Sequence, residues 1–164
     1  MKITVLNTGG TFNKRYNPIK GQLEVPVDNI ALDKIVKSCH NVEFDIKNIV
    51  SKDSLEFTDI DRETILENIL NSTSDKIIII HGTDTVDLTA KFIEDKVKGK
   101  KIIFTGAMVP MSIDEVEATM NFSQAIGFLN APIENGIYLS MHGVVVEHSK
   151  LVKNRNVGQF LVKN

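Results

Sequence analysis

Short apolar runs and longer stretches with helical spacing follow one another along the chain. The apolar or alternating runs predict strands over residues 2–8, 42–50, 76–80, 102–105, 136–141 and 144–148, the last two as a strand or a hairpin. The run 76–80 consists of a lysine and four isoleucines, which is too apolar for a strand with a solvated face. It therefore predicts a central strand of a parallel sheet.

Between these runs, apolar residues recur at helical spacing. The predicted helices cover residues 28–37, 58–72, a stretch that follows 81–85 and runs through 98, and 115–129. Thr58 or Asp59 caps the second helix, and Glu115 or Glu117 begins the fourth. This alternation of strand, loop and helix predicts an α/β fold, a single three-layer domain with a mostly parallel sheet flanked by helices.

Two segments show no apolar period. Residues 12–21 are polar and include Pro18 and Gly21, which predicts a loop. Because this loop follows a strand end directly, it is placed to fold over a ligand as a lid. The residues after 148 are predicted to form a polar tail that carries Lys153 and Arg155.

Composition and charge narrow the class of protein. Hydrophobic residues make up 42% of the 164 residues, which fits one compact domain over 1–164. The net charge of −2, with both signs interspersed, gives no footprint for nucleic acid or a membrane surface. Cys39 is the only cysteine, and the Lys2 start lacks the apolar core of a signal peptide. We therefore expect a cytoplasmic protein that binds neither nucleic acid nor a membrane.

The first candidate for chemistry lies at the end of the 2–8 strand. Gly9 and Gly10 let the backbone turn sharply and approach a ligand, and they place the hydroxyl of Thr11 just past the strand's carboxyl end. Ligands bind at that edge of open α/β sheets, so this hydroxyl is a candidate nucleophile. The alternative is a tight turn in which the threonine bonds its own backbone.

The second candidate is His81-Gly82-Thr83-Asp84-Thr85, which follows the 76–80 strand. Thr83 or Asp84 can cap the next helix, with Asp87 completing something like a capping box. The same helix N-terminus offers hydroxyls and backbone N–H groups that can polarise a carbonyl or hold an anion. Capping and catalysis are compatible here.

A threonine nucleophile needs a base within hydrogen-bond reach, and a desolvated lysine can serve. From composition alone Lys153 is one lysine of many, and a solvated tail charge is the alternative. The spacings of His81, His142 and His148 match no zinc pattern, and no cysteine pair is present. The sequence also lacks a dinucleotide fingerprint and a phosphate loop, so we expect neither a metal nor a cofactor.

Thr8-Gly9-Gly10-Thr11 and His81-Gly82-Thr83-Asp84-Thr85, in this order and each after a predicted strand, resemble the amino-terminal domain of bacterial-type L-asparaginases and glutaminase-asparaginases. Further similarity runs through residues 105–110, 121–126 and 144–153, so it covers essentially the whole chain. That family hydrolyses the side-chain amide of asparagine, and sometimes glutamine, through an acyl-threonine without a metal or cofactor. The resemblance implies the same fold and activity here.

By position, the resemblance implies catalytic roles for five residues. Thr11 resembles the nucleophile, and Tyr16 resembles a lid tyrosine that assists it. Thr83, Lys153 and Asp84 resemble a second triad, in which the lysine activates the threonine and the acid also holds the substrate amino group.

The resemblance also implies a substrate-binding set. Its members are Ser54, Leu55, Gly10, Gly82 and Ala107. Ser54, or Ser51 in the alternative register, fits a serine that binds the substrate α-carboxylate. Ala107 would contribute a backbone carbonyl near the scissile amide. Leu55 stands where a substrate-binding glutamine is usual.

Departures from the family pattern leave two hypotheses. Members usually carry a second, smaller carboxy-terminal domain that completes the site of a neighbouring subunit, and we expect that domain to be absent. Leu55 cannot bind an ammonium group, and Val109 replaces a common arginine, so the losses fall on recognition of the amino-acid head group. The first hypothesis is an amidohydrolase acting on L-asparagine or a related small amide. The second is a weakly active or inactive small-ligand-binding module or amidase subunit; a homodimer is expected.

Overall fold

A six-stranded sheet forms the centre of the protein, which a computed structural model describes over residues 1–163. The strands are β1 (Lys2–Gly9), β2 (Arg15–Asn17), β3 (Gln22–Glu24), β4 (Glu43–Lys52), β5 (Lys76–Ile80), β6 (Lys101–Thr105), β7 (Gly136–Met141), β8 (Val144–Glu147), β9 (Leu151–Asn154) and β10 (Gln159–Val162). The helices are α1 (Ile30–Val36), α2 (Asp59–Leu70), α3 (Val86–Glu94) and α4 (Glu115–Asn130). Within residues 1–163, no helix combines the length and apolar content that a membrane span requires.

The strand order of the central sheet is β4-β1-β5-β6-β7-β8. Neighbouring strands run parallel except β8, which returns antiparallel to β7 as a hairpin. The predicted α/β fold with a mostly parallel sheet is therefore confirmed. In this order the carboxyl ends of β4, β1, β5 and β6 are neighbours at one edge of the sheet.

Alternating side chains of the sheet build two hydrophobic cores. Ile77 and Ile79 pack with α2 and α3 on one face, and Ile78 and Ile80 pack with α1 and α4 on the other. All four side chains are fully buried. Each contributes roughly 2 kcal/mol through the transfer of apolar surface out of water. The helices thus cover both faces, and the isoleucine run is a central parallel strand, as the sequence predicts.

Two segments predicted as coil contain hairpins. β2 lies in the predicted loop 12–21 and pairs with β3, and β9 pairs with β10 in the predicted polar tail. Both predictions were wrong because strands of three or four residues with mixed polar side chains give no readable alternation. The β9–β10 hairpin matters for the site, since Lys153 lies on β9 opposite the buried Phe160.

The third predicted helix differs at both ends. α3 ends at Glu94 rather than at residue 98, because the N–H of Lys96 bonds to the carbonyl of Ile93 at 3.0 Å and tightens the last turn. At the other end Thr85 occupies the N-cap position without a side-chain cap bond. The prediction that Thr83 or Asp84 caps this helix was therefore wrong.

Lys52, at the end of β4, ties α2 to the turn after β1. Its carbonyl accepts the N–H of Gly10 at 2.9 Å, and its Nζ donates to the two oxygens of Asp61 at 2.7 and 2.9 Å. Asp61 closes a capping box with Thr58, which caps α2 as predicted. Burial opposes the charge of Asp61, but hydrogen bonds from Lys52 and Thr58 outweigh it and hold the pKa of this carboxyl below its usual value.

The turns after β1, β5 and β4 touch one another without room for a methyl group. Gly10 has a φ of 70°, in the left-handed region that favours glycine, and a Cβ built there would lie 2.6 Å from the backbone N and Cα of Gly82. A Cβ built on Gly82 would lie 2.5 Å from the Oγ of Ser54. Distances this short are not tolerated, so both glycines are required by packing.

We expect Asp61→Asn to lower the free energy of unfolding by about 1 to 2 kcal/mol at pH 7. Because the folded-state pKa of Asp61 lies below the unfolded value of about 3.9, its contribution is complete above that value and is lost as the pH falls through the folded one. The variant should therefore lose less stability than the wild type on acidification. Urea unfolding at neutral pH and at about pH 3 measures this.

Asp59→Asn is the matched control for Asp61→Asn. Asp59 belongs to the same helical turn, but its side chain is 83% exposed and pairs with Arg62 at 3.0 Å. Exposed pairs of this kind contribute little to stability. Equal losses at neutral pH in the two variants would contradict the role given to the Lys52–Asp61 contact.

We expect Gly10→Ala to destabilise the fold by about 3 kcal/mol, because the methyl group adds a backbone clash to the strain of a positive φ. Gly21→Ala is the control: its φ is 67°, but a Cβ there would have nothing within 4 Å. That variant should lose only about 1 kcal/mol. Urea unfolding compares the two, and equal losses would show that the contact between Gly10 and Gly82 does not constrain the fold.

Candidate active site

Four of the predicted site residues follow the carboxyl ends of neighbouring parallel strands. Thr11 follows β1, Ser54 follows β4, Thr83 follows β5, and Ala107 follows β6. Thr11 and Thr83 come directly after the touching glycines Gly10 and Gly82, so the two threonines flank one backbone contact. The fold thus gathers these turns at the edge where open α/β sheets bind ligands.

Lys153 reaches the second of these threonines from the β9–β10 hairpin. Its Nζ donates to Thr83 Oγ1 at 2.9 Å and to Asp84 Oδ1 at 2.9 Å. The side chain of Lys153 is only 15% exposed, and Thr83 is buried. The alternative of a solvated tail charge therefore does not describe this lysine. A hydroxyl, an amine and a carboxylate in contact form a set that can move a proton.

Asp84 is held ionised by two cations. Burial opposes its charge, but hydrogen bonds from Lys153 and Arg155 and the charges of both groups hold its pKa below the usual value. Arg155 contacts Asp84 twice: Nη1 donates to Oδ1, and Nη2 donates to the backbone carbonyl at 3.1 Å. The carboxylate that the sequence assigns to the substrate amino group therefore already faces an ammonium and a guanidinium.

Ser54 carries a buried hydroxyl that lacks a hydrogen-bond partner within residues 1–163. It lies against Gly82, and its carbonyl accepts the hydroxyl of Thr85 at 2.7 Å. A buried polar atom without a partner is costly, which makes it a candidate for binding a ligand. Ser51, the alternative register, donates its hydroxyl to Asn48 at 3.0 Å and is already satisfied.

His81 is a structural residue of this edge. Its ring contacts the carbonyl of Gly82 at 2.8 Å and the hydroxyl of Thr89 at 2.9 Å, so both nitrogens are engaged. Burial lowers its pKa to about 4, against the raising effect of the bond to Gly82. The neutral imidazole thereby fixes the turn that precedes Thr83. Within residues 1–163, no three His, Cys, Asp or Glu side chains are grouped as metal ligands.

The hydroxyl of Thr11 makes no hydrogen bond within residues 1–163. The alternative interpretation, a tight turn in which this hydroxyl bonds to the nearby backbone, therefore does not describe Thr11. Thr11 is half-buried and opens a short 3-10 turn through Asn13. Ala107 is buried between α4 and the turn after β1, in the core that contains Phe12. The turn after β6 is held by Asn121, whose Nδ2 donates to the carbonyl of Gly106 at 3.0 Å.

Tyr16 and Leu55 lie further out than the other predicted site residues. Tyr16 is 63% exposed on β2, and its hydroxyl makes no hydrogen bond within the described chain. Leu55 is 68% exposed and lines an open cavity of about 600 Å³ between the β2–β3 hairpin and the connection from β4 to α2. The roles assigned to these two residues stay predictions.

Two polar residues near the site are not identified by sequence reasoning. Lys14 Nζ donates to Asp53 Oδ2 at 2.6 Å, across the turn that carries Ser54. Arg155 is predicted only as part of a polar tail. Its spacing from Lys153 was the available signal, because side chains two residues apart share one face of an extended segment.

A cavity of about 360 Å³ opens beside Thr83, between α3 and the β9–β10 hairpin. Asp84, Lys153 and Arg155 line it on the site side, and Leu88 and Phe160 line it further along. Thr11 is not part of its lining. The cavity therefore gives access to the Thr83 side of the edge.

Comparison with known proteins relates this chain to asparaginases. The family model for the N-terminal part of asparaginase matches residues 2–159. An L-asparaginase of Thermococcus kodakarensis is 24% identical over 162 residues, which are 96% of this chain and 49% of that protein. A subunit of the glutamyl-tRNA(Gln) amidotransferase of Methanococcus maripaludis is 31% identical over 148 residues, which are 86% of this chain and 35% of that protein.

The same fold appears among solved structures. The thermostable L-asparaginase from Thermococcus kodakarensis superposes with a TM-score of 0.87 at 23% identity, covering all of this chain and 52% of that one. The chain thus spans about half or less of the length of the relatives it matches. Because the family model covers nearly the whole chain, this protein belongs to the asparaginase family and corresponds to its N-terminal domain.

Proposed function

We propose that residues 1–164 form an asparaginase amino-terminal-like domain with amidohydrolase chemistry, hydrolysing L-asparagine or a related small amide through an acyl-threonine. The observation that carries the proposal is the contact of Lys153 Nζ with Thr83 Oγ1 and Asp84 Oδ1, each at 2.9 Å, beside the turn of Thr11. Packing alone gives no reason to desolvate a lysine amine next to a buried threonine hydroxyl. We further propose a cytoplasmic location.

In the first half of the reaction, Thr11 Oγ attacks the amide carbonyl carbon. The C–N bond then breaks, and the hydroxyl proton leaves with the nitrogen as part of ammonia. The acyl group remains on Thr11 as an ester. Tyr16 is assigned the assisting role on the lid, and Ala107 is assigned to contribute its backbone carbonyl near the scissile amide.

In the second half, a water molecule attacks the ester carbonyl. The pair of Thr83 and Lys153 relays its proton to Thr11 Oγ as the ester C–O bond breaks. The products are a carboxylic acid and the free hydroxyl. Asp84 orients the amine through its 2.9 Å contact.

Substrate positioning is assigned to the residues around the glycine contact. Ser54 offers a buried hydroxyl that lacks a partner among residues 1–163, which suits a substrate carboxylate. Gly10 and Gly82 are assigned to the substrate-binding set because they hold the turns of Thr11, Thr83 and Ser54 in contact, and Leu55 at the rim offers only apolar contact.

We propose that the protein functions with a protein partner, either as a homodimer or with another chain. The relatives extend well beyond the matched region, and one of them is named as a subunit of an amidotransferase. This second observation also favours an alternative function, a small-ligand-binding module or amidase subunit with little chemistry of its own. Stabilisation by aspartate in a thermal-shift assay, together with no ammonia release from any amide, would select that alternative.

We expect Thr11→Ala to abolish amide hydrolysis, with a loss of at least about a thousandfold in kcat/KM, because no other group forms the ester. Ammonia release measures the loss, and mass spectrometry of the acid-quenched wild type should find the acyl group on the peptide that contains Thr11. Thr11→Ser keeps the nucleophile and is the control. Undiminished turnover in a correctly folded Thr11→Ala protein would exclude the acyl-threonine.

We expect Lys153→Met to lower kcat/KM by about 10² to 10⁴ while the protein stays folded, since the variant keeps roughly the volume of the side chain and removes only the amine that contacts Thr83. Lys150→Met is the matched control, because Lys150 precedes β9, is 63% exposed and pairs with Glu147 on the surface. Full activity in Lys153→Met, with none in Thr11→Ala, would show that the lysine is misassigned.

A further inference from the structure

The two carboxylates beside the candidate site are both occupied by cations. Asp53 accepts Lys14 Nζ at 2.6 Å through one oxygen and the N–H of Leu55 at 3.1 Å through the other. Asp84 accepts Lys153 and Arg155 on Oδ1. Burial opposes the charge of Asp53, but hydrogen bonds from Lys14 and Leu55 hold its pKa below the usual value, while the charge of Asp84 acts in the raising direction.

An amino-acid substrate would bring an ammonium group to this edge. A desolvated ammonium needs an anionic partner, and without one its burial is costly. Asp84 is the carboxylate next to Thr83, but two cations, Lys153 and Arg155, already bind its Oδ1, and Arg155 also binds its backbone carbonyl. Leu55 offers no acceptor at the rim. A substrate ammonium placed against Asp84 would lie beside the charges of both Lys153 and Arg155, and their repulsion would oppose its binding.

The charge of the cavity beside Thr83 also disfavours an ammonium group. Its lining contains four basic residues, Lys91, Lys153, Arg155 and Lys163, against two acidic ones, Asp84 and Asp87. Lys91 is paired with Glu94 at 2.5 Å, which still leaves an excess of positive charge. Arg155 donates two of its five N–H groups to Asp84, and the other three N–H groups have no acceptor within the described residues. The excess of positive charge in this cavity therefore disfavours an ammonium group at the Asp84 side of the site.

We infer that Arg155 is a specificity-determining residue, which occupies Asp84 and makes the site select small amides that carry a carboxylate but no ammonium group next to it. This inference rests on the proposed amidohydrolase function. Succinamate, the monoamide of succinic acid, is the simplest such substrate, and it differs from asparagine only in lacking the α-ammonium group. Because Arg155 is 61% exposed, the preference should be about tenfold rather than many thousandfold.

The test compares kcat/KM for succinamate and asparagine by ammonia release in the wild type, Arg155→Gln and Lys34→Gln. The wild type should prefer succinamate by about tenfold, and Arg155→Gln should remove most of that preference. Lys34→Gln is the control: Lys34 is also a half-exposed cation in an ion pair, with Glu115 at 2.7 Å, but lies outside the cavity. It should keep the wild-type ratio.

Calorimetric titration with succinate and aspartate separates this inference from the proposed function. If no amide is hydrolysed, the proposed function fails, while tighter binding of succinate by the wild type, lost in Arg155→Gln, still supports the role of Arg155. The inference is overturned if the wild type hydrolyses asparagine as well as succinamate or better, or binds aspartate as tightly as succinate or more tightly. A ratio unchanged by Arg155→Gln, or binding of neither dicarboxylate, overturns it as well.

Discussion

The approach of two backbones at Gly10 and Gly82 is the constraint on which the rest of the site depends. β1 and β5 are neighbouring parallel strands, so their carboxyl ends start close together, and the absence of side chains lets the following turns touch. Thr11 and Thr83 then fall on either side of one contact although they are far apart in the chain. Any side chain at either position would separate the candidate nucleophile from the proton relay.

A second constraint fixes the lysine. β9 and β10 lie outside the central sheet, and a two-stranded hairpin is unstable by itself. It is anchored through Phe160, which is buried and whose N–H donates to His142 Nδ1 at 3.2 Å. His142 in turn contacts Glu117 of α4 at 3.0 Å, and Glu117 also accepts two backbone N–H groups of the turn after β6. The position of Lys153 is therefore set by the same helix that packs under the sheet.

The sequence was informative where one residue type had one physical use. Four isoleucines in a row required a doubly covered strand, and Thr58 before a helical period was an N-cap. The sequence was uninformative where the role of a residue depends on a contact with a residue far away in the chain. Asp84 looked like a cap for α3, but Lys153 and Arg155 compete for its carboxylate with charge-assisted bonds, which are stronger than a bond to a backbone N–H. The hairpin that carries both cations has no local signature. The spacing of Lys153 and Arg155 puts them on one face of an extended segment, but it does not show that this face contacts Asp84.

The buried imidazole of His81 gives this edge a particular response to acid. In the unfolded chain a histidine takes up a proton near pH 6.5, whereas in the folded protein the pKa of His81 is about 4. Between these pH values the unfolded state binds a proton at His81 that the folded state does not bind. Mild acidification therefore shifts the folding equilibrium toward the unfolded state. His81 thus stays uncharged throughout the neutral range, and acid would loosen the edge that carries the candidate active site together with the core that supports it.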